Sequence, residues 1–140
     1  MSEIKVDTLT GKTTANDITV TVGATATQSL EQGLAKVWLD QNHRTSFGTN
    51  DSFNVSGVTD TSGGVLDVSF TNNMSASNYA SPTSGISEYA NTNSSGGHYT
   101  VATDTSNRTS SALKTISSDY NNASRADSER VDLAVFGDLA

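Results

Sequence analysis

The sequence predicts an all-β protein: a small antiparallel sandwich or barrel domain preceded by an extended N-terminal arm. Short runs alternate apolar and polar residues with period two, as in Asp17-Ile18-Thr19-Val20-Thr21-Val22 and Val131-Asp132-Leu133-Ala134-Val135. The 140 residues include 21 Ser, 20 Thr and 12 Asn, a composition without the Leu, Ala, Glu and Lys in bulk that a helical bundle needs. Leu, Ile, Val and Phe number 8, 4, 11 and 4, too few for a large self-sufficient core, so stability is expected to come from association.

Residues 1–34 form the arm and carry no aromatic side chain. Ile4-Lys5-Val6-Asp7 and Asp17–Val22 read as strands, punctuated at Gly11 and Gly23. Thr25–Leu34 reads as one short helix capped by Thr27, with Leu30 and Leu34 at i and i+4. Two lone strands and a helical turn cannot fold alone. The arm is therefore expected to lie on its own C-terminal domain, a sister chain or another protein. Ile4, Val6, Ile18, Val20 and Val22 are the candidate anchoring residues, adding strands to a sheet outside their own domain. Leu30, Leu34 and Trp38 are the candidate oligomer interface.

Residues 35–140 form the β domain. Strands are expected at about Ala35–Gln41, Asp51–Val58, Gly64–Phe70, Gly97–Thr103, Ser110–Ser117 and Arg130–Phe136. Phe53, Val55 and Gly57 are expected to share a face. Leu66, Val68 and Phe70 face the core, with Val65 and Asp67 opposite. Thr59–Gly64 reads as a hairpin loop whose glycines supply positive φ. Thr71–Gly96 is polar, with one short strand expected near Ile86–Ala90, and Tyr120–Ser128 is a further polar loop. Trp38, Phe53, Phe70 and Phe136 are expected in the core, because a small core needs its large side chains. Tyr79, Tyr89 and Tyr99 lie in or near polar loops and are the candidate receptor-facing residues, since exposed rings beside Asn and Asp suit sugar stacking.

The net charge of −7 argues against nucleic acid and anionic membrane as partners. Zero Cys excludes disulfides, thiolate metal sites and cysteine nucleophiles. There is no run of 18 apolar residues, and the opening MSEIKVDTLT does not read as a secretory signal. His43 and His98 stand 55 residues apart without zinc-site spacing, and both are expected at the surface. Asp60 is the one carboxylate of its loop, and Asp40, Asp51, Asp67, Asp104 and Asp132 are scattered, so no calcium loop is read. A cation held on a threefold axis by three copies of one Asp stays open. No nucleophile–base motif or phosphate-binding loop occurs, so no catalytic residue, metal or cofactor is expected and the chain is read as a non-enzyme.

Several strings resemble short fibre-like virion proteins of marine bacteriophages of the cyanophage type. They are Ser2-Glu3-Ile4-Lys5-Val6-Asp7-Thr8-Leu9-Thr10-Gly11-Lys12-Thr13-Thr14-Ala15, Gln32-Gly33-Leu34-Ala35-Lys36-Val37-Trp38, Asp51–Asp60, Leu66–Met74 and Val131–Gly137. The resemblance implies a virion structural protein, a short homotrimeric tail fibre or spike, whose N-terminal part grips another virion protein and whose β domain is distal. It implies a place on the tail or capsid exterior after assembly in the host cytoplasm, with host attachment, and a host surface glycan as a further partner. A capsid decoration or cement protein is the runner-up and a carbohydrate-binding module the third reading.

Overall fold

The computed structural model describes residues 4–11, 18–22, 25–86, 99–119 and 124–140. The chain divides into two compact units, Met1–Leu34 and Ala35–Ala140.

In the first unit, β1 (Thr19–Val22) pairs antiparallel with β2 (Ala26–Ser29), placing Val20 opposite Gln28 and Thr21 opposite Thr27. The Leu30 N–H donates to the Ile18 carbonyl at 2.7 Å and closes the hairpin. The helix expected over Thr25–Leu34 does not form. Its β-branched Thr residues favour an extended backbone, and β1 supplies the hydrogen bonds that a lone helical turn would lack. Only a turn follows, with the Leu34 N–H on the Glu31 carbonyl at 3.1 Å. Ile4-Lys5-Val6-Asp7 is not a strand, because among the described residues nothing pairs with it.

The second unit holds nine strands among its described residues: β3 (Val37–Asn42), β4 (Gly48–Phe53), β5 (Val55–Ser62), β6 (Val65–Phe70), β7 (Thr83–Ile86), β8 (Tyr99–Asp104), β9 (Ala112–Asp119), β10 (Ser124–Arg125) and β11 (Arg130–Val135). They make two antiparallel sheets. One runs β4-β3-β11-β7. The other runs β5-β6-β9, with β8 and the short β10 also paired to β9. Inward-facing residues of both sheets meet in one core: Val37 and Leu39 from β3, Val68 and Phe70 from β6, Leu113 from β9, Leu133 and Val135 from β11. This is a sandwich, and the period-two rule decides which residues it buries. Val65 is buried beside Leu66, so the first end of β6 is covered on both faces, while at its other end Ser69 is exposed opposite the buried Phe70.

Phe53 and Val55 do not share one strand face. The chain breaks between them at Asn54, which adopts φ 58°, a left-handed conformation that Asn tolerates better than most residues. There the chain leaves one sheet and enters the other. Asn54 Nδ2 donates to the Lys36 and Asn72 carbonyls at 3.0 and 3.1 Å, and its Oδ1 accepts the Asn72 N–H at 2.7 Å. The short strand expected near Ile86–Ala90 lies earlier, at Thr83–Ile86, where it borders β11; residues 87–90 are outside the described set. The loop expected over Tyr120–Ser128 holds β10, with residues 120–123 outside the described set.

Candidate functional site

Inside the sandwich, polarity changes along the strands. On β3 the buried series is Val37, Leu39, Gln41 and then His43 just beyond the strand end. On β9 it is Leu113, Thr115 and Ser117. On β5, Val58 pairs with Val68 and Asp60 with Leu66, so Asp60 sits on the same face as the core residue Leu66. A bulge between Asp60 and Ser62 then ends the regular pairing. One end of the interior is thus apolar, and at the other these polar groups lie among Leu66 and Val131, without any break in the alternation.

His43 lies at that polar end. Its side chain is 1 % exposed, against 39 % for Asp60 and 35 % for Asp127. Nε2 stands 3.3 Å from Asp127 Oδ1 and 3.8 Å from Asp60 Oδ1. Neither ring nitrogen makes a hydrogen bond, although both are buried. The backbone fixes the histidine, its N–H donating to the Glu129 carbonyl at 3.0 Å. Asp127 is fixed by the Gly64 N–H, which donates to Oδ1 at 2.5 Å. Gly64 has φ 75°, and a Cβ there would lie 2.4 Å from the Ser117 carbonyl oxygen. The surface position expected for His43 is therefore wrong: the inward alternation of β3 carries through to it. His98 lies outside the described residues.

A second feature covers the outer face of the β4-β3-β11-β7 sheet. Trp38 and Phe53 are direct cross-strand partners and are 37 % and 52 % exposed. They were expected in the core. Trp38 alternates with the buried Val37 and Leu39 and so must point outward, and the Asn54 turn leaves Phe53 on the outer side. Phe136 is half-buried and Phe70 is buried. Beside the aromatic pair, a polar chain crosses all four strands. Asn50 Nδ2 donates to Asp40 Oδ1 at 3.0 Å, and Arg130 clamps Asp40 through Nε and Nη2. Arg130 Nε also stands 3.7 Å from Asp132 Oδ1, and Ser84 donates to Asp132 Oδ2 at 3.3 Å. These bonds hold the Asp40 carboxyl below its ordinary range, the Arg130 hydrogen bond most of all. A shallow groove of about 280 Å³, lined by Pro82, Ser84, Asp132 and Ala134, opens on the same sheet.

Tyr79 is not receptor-facing. It is 6 % exposed, its ring meets Phe70 edge-on at 6.0 Å, and Arg108 lies 4.8 Å from the ring centroid. Its hydroxyl reaches the Thr109 and Ala112 carbonyls at 3.1 and 3.2 Å. A polar loop can still bury a large ring when nearby carbonyls accept the hydroxyl proton. Tyr89 and the side chain of Tyr99 lie outside the described residues.

In the first unit, Ile4, Val6, Val20 and Leu34 are 85, 59, 42 and 55 % exposed, while Ile18 and Leu30 are half-buried. Val22 ends β1, and its side chain is outside the described set. Leu9, Ile18, Leu30, Glu31 and Leu34 line a groove of about 400 Å³. No family model, curated protein or solved structure matches this chain.

Proposed function

We propose that the chain is a bacteriophage virion structural protein, a short homotrimeric tail fibre or spike, with the first unit as its anchor and the sandwich facing solvent or host. The observation that supports this most is the first unit. Among its described residues it has one two-stranded hairpin, yet Ile4, Val6, Leu9, Val20 and Leu34 all stand exposed. A lone hairpin is marginal in water, so these side chains call for a partner surface in a sister chain or another virion protein. Residue strings that resemble short phage fibre proteins point the same way. In this reading Leu30, Leu34 and Trp38 contribute to the contacts between sister chains. A capsid decoration protein uses the same parts and differs in what the anchor grips.

The glycan-binding reading rests on a separate observation. Trp38 and Phe53 form an exposed aromatic pair beside Asn50, Asp40 and Arg130, whose hydrogen bonds hold the polar groups in place. A flat apolar platform with fixed donors and acceptors at its rim suits a sugar ring.

Two measurements test the proposal. Light scattering on the purified chain should give three times the chain mass; a monomer at micromolar concentration overturns the trimer. Gold-labelled antibody on intact particles should mark the tail. Uniform labelling of the head selects the decoration protein, and absence of label from the particle overturns the virion assignment.

A further inference from the structure

We propose that His43, Asp60 and Asp127 bind one divalent transition-metal ion, with zinc as the preferred metal, and that the ion pins three segments of the sandwich together. The argument begins with the histidine. A side chain 1 % exposed with two unbonded ring nitrogens is an arrangement that native proteins rarely keep, because buried polar atoms are nearly always satisfied. The nearest polar atoms are carboxylate oxygens, 3.3 and 3.8 Å from Nε2. All three donor atoms lie within 4.8 Å of one another. A tetrahedral ion with bonds of about 2.1 Å has edges of about 3.4 Å between its ligands, so small side-chain movements suffice.

The charge balance agrees. Among the described residues, Asp60 and Asp127 form no ion pair with Lys or Arg. A dication offsets their two negative charges and takes the Nε2 lone pair. One imidazole nitrogen with two carboxylates is a donor set for zinc or its neighbours, whereas calcium and magnesium require more oxygens. The carboxylates are 39 and 35 % exposed, which leaves a way in from solvent and room for water as the fourth ligand. The Gly64 N–H on Asp127 is the outer support that metal-binding carboxylates usually have.

The three ligands come from distant parts of the chain. His43 follows β3 of one sheet, Asp60 lies on β5 of the other, and Asp127 lies between β10 and β11. An ion here would close the polar end of the sandwich.

The test uses the full chain, stripped with a chelator and then exchanged into metal-free buffer. Calorimetric titration with zinc should give one site per chain, and zinc should raise the thermal midpoint. Cobalt, added alone, should give the visible absorption of a tetrahedral centre with nitrogen and oxygen ligands. Asp60→Asn and Asp127→Asn keep side-chain shape at half-exposed positions, and each should weaken zinc binding at least tenfold. The cobalt spectrum of the unaltered protein keeps the test independent of how the variants fold. No heat and no shift in midpoint with zinc overturns the proposal. So does undiminished binding in the double variant, which would place the metal elsewhere, for example at His98. An equal response to calcium overturns the preference for zinc.

Discussion

Tyr79 and Asp40 show how a single side chain is set by its surroundings. The Tyr79 hydroxyl donates to the Thr109 and Ala112 carbonyls, so Tyr79→Phe should lower stability by about 1 kcal/mol in urea unfolding with the fold intact. Burial pushes the Tyr79 hydroxyl above its ordinary value, with the Arg108 charge opposing in part. The folded state then holds its proton where the unfolded chain releases it. Stability should fall as pH rises past about 10, less steeply in Tyr79→Phe. Asp40 behaves in the opposite sense. Its carboxyl is held low by Arg130 and Asn50, so its contribution is complete above the ordinary carboxylate value and is lost as pH falls below about 4. Asp40→Asn should show a smaller loss of thermal midpoint between pH 6 and 3 than the unaltered chain. Equal losses would mean that the outer-face ion pair is fully solvated in effect.

The β4–β5 junction carries the topology of the sandwich. Asn54 accepts a left-handed backbone and ties together Lys36, Asn72 and the two sheets. Asn54→Gly keeps the backbone and loses the bonds, whereas Asn54→Ala loses both. The alanine variant should be the less stable of the two by about 1 kcal/mol, read from denaturant midpoints. If the alanine variant is as stable as the glycine one, conformational strain does not govern the corner. The sequence showed strands on both sides of this point, but as one run. The break depends on carbonyls eighteen residues away on either side, which no local pattern reveals.

Across the molecule, the core cluster is drawn wholly from residue 37 onward, while in the first unit Ile4, Val6, Leu9, Val20 and Leu34 stand exposed. Under the proposed anchor role, removing residues 1–34 should leave a cooperatively unfolding sandwich that no longer joins the particle. Incorporation of the truncated chain at normal copy number would overturn the anchor reading. In the trimer proposed above, Leu34→Asp should break up the assembly, since a charge buried at an interface without a partner costs several kcal/mol. A trimer of unchanged stability would remove Leu34 from the interface.

Composition and period-two alternation were enough to establish an all-β antiparallel chain. They also gave the inward face of β6, because on a strand side-chain direction follows from sequence position alone. The same alternation was readable through Val37, Leu39, Gln41 and His43, but the polar type of the last two disguised it as a strand running into solvent. Three other outcomes depended on contacts made across the fold. Tyr79 is buried because Phe70, Arg108 and two carbonyls surround it, and Trp38 is exposed because its strand neighbours fill the core. His43, Asp60 and Asp127 meet because three segments far apart in sequence converge at one end of the sandwich. Spacing along the chain records neither the burial of Tyr79 nor the meeting of His43, Asp60 and Asp127, and it shows Trp38 outward only once Val37 and Leu39 are known to face the core, which is fixed when the two sheets close on each other.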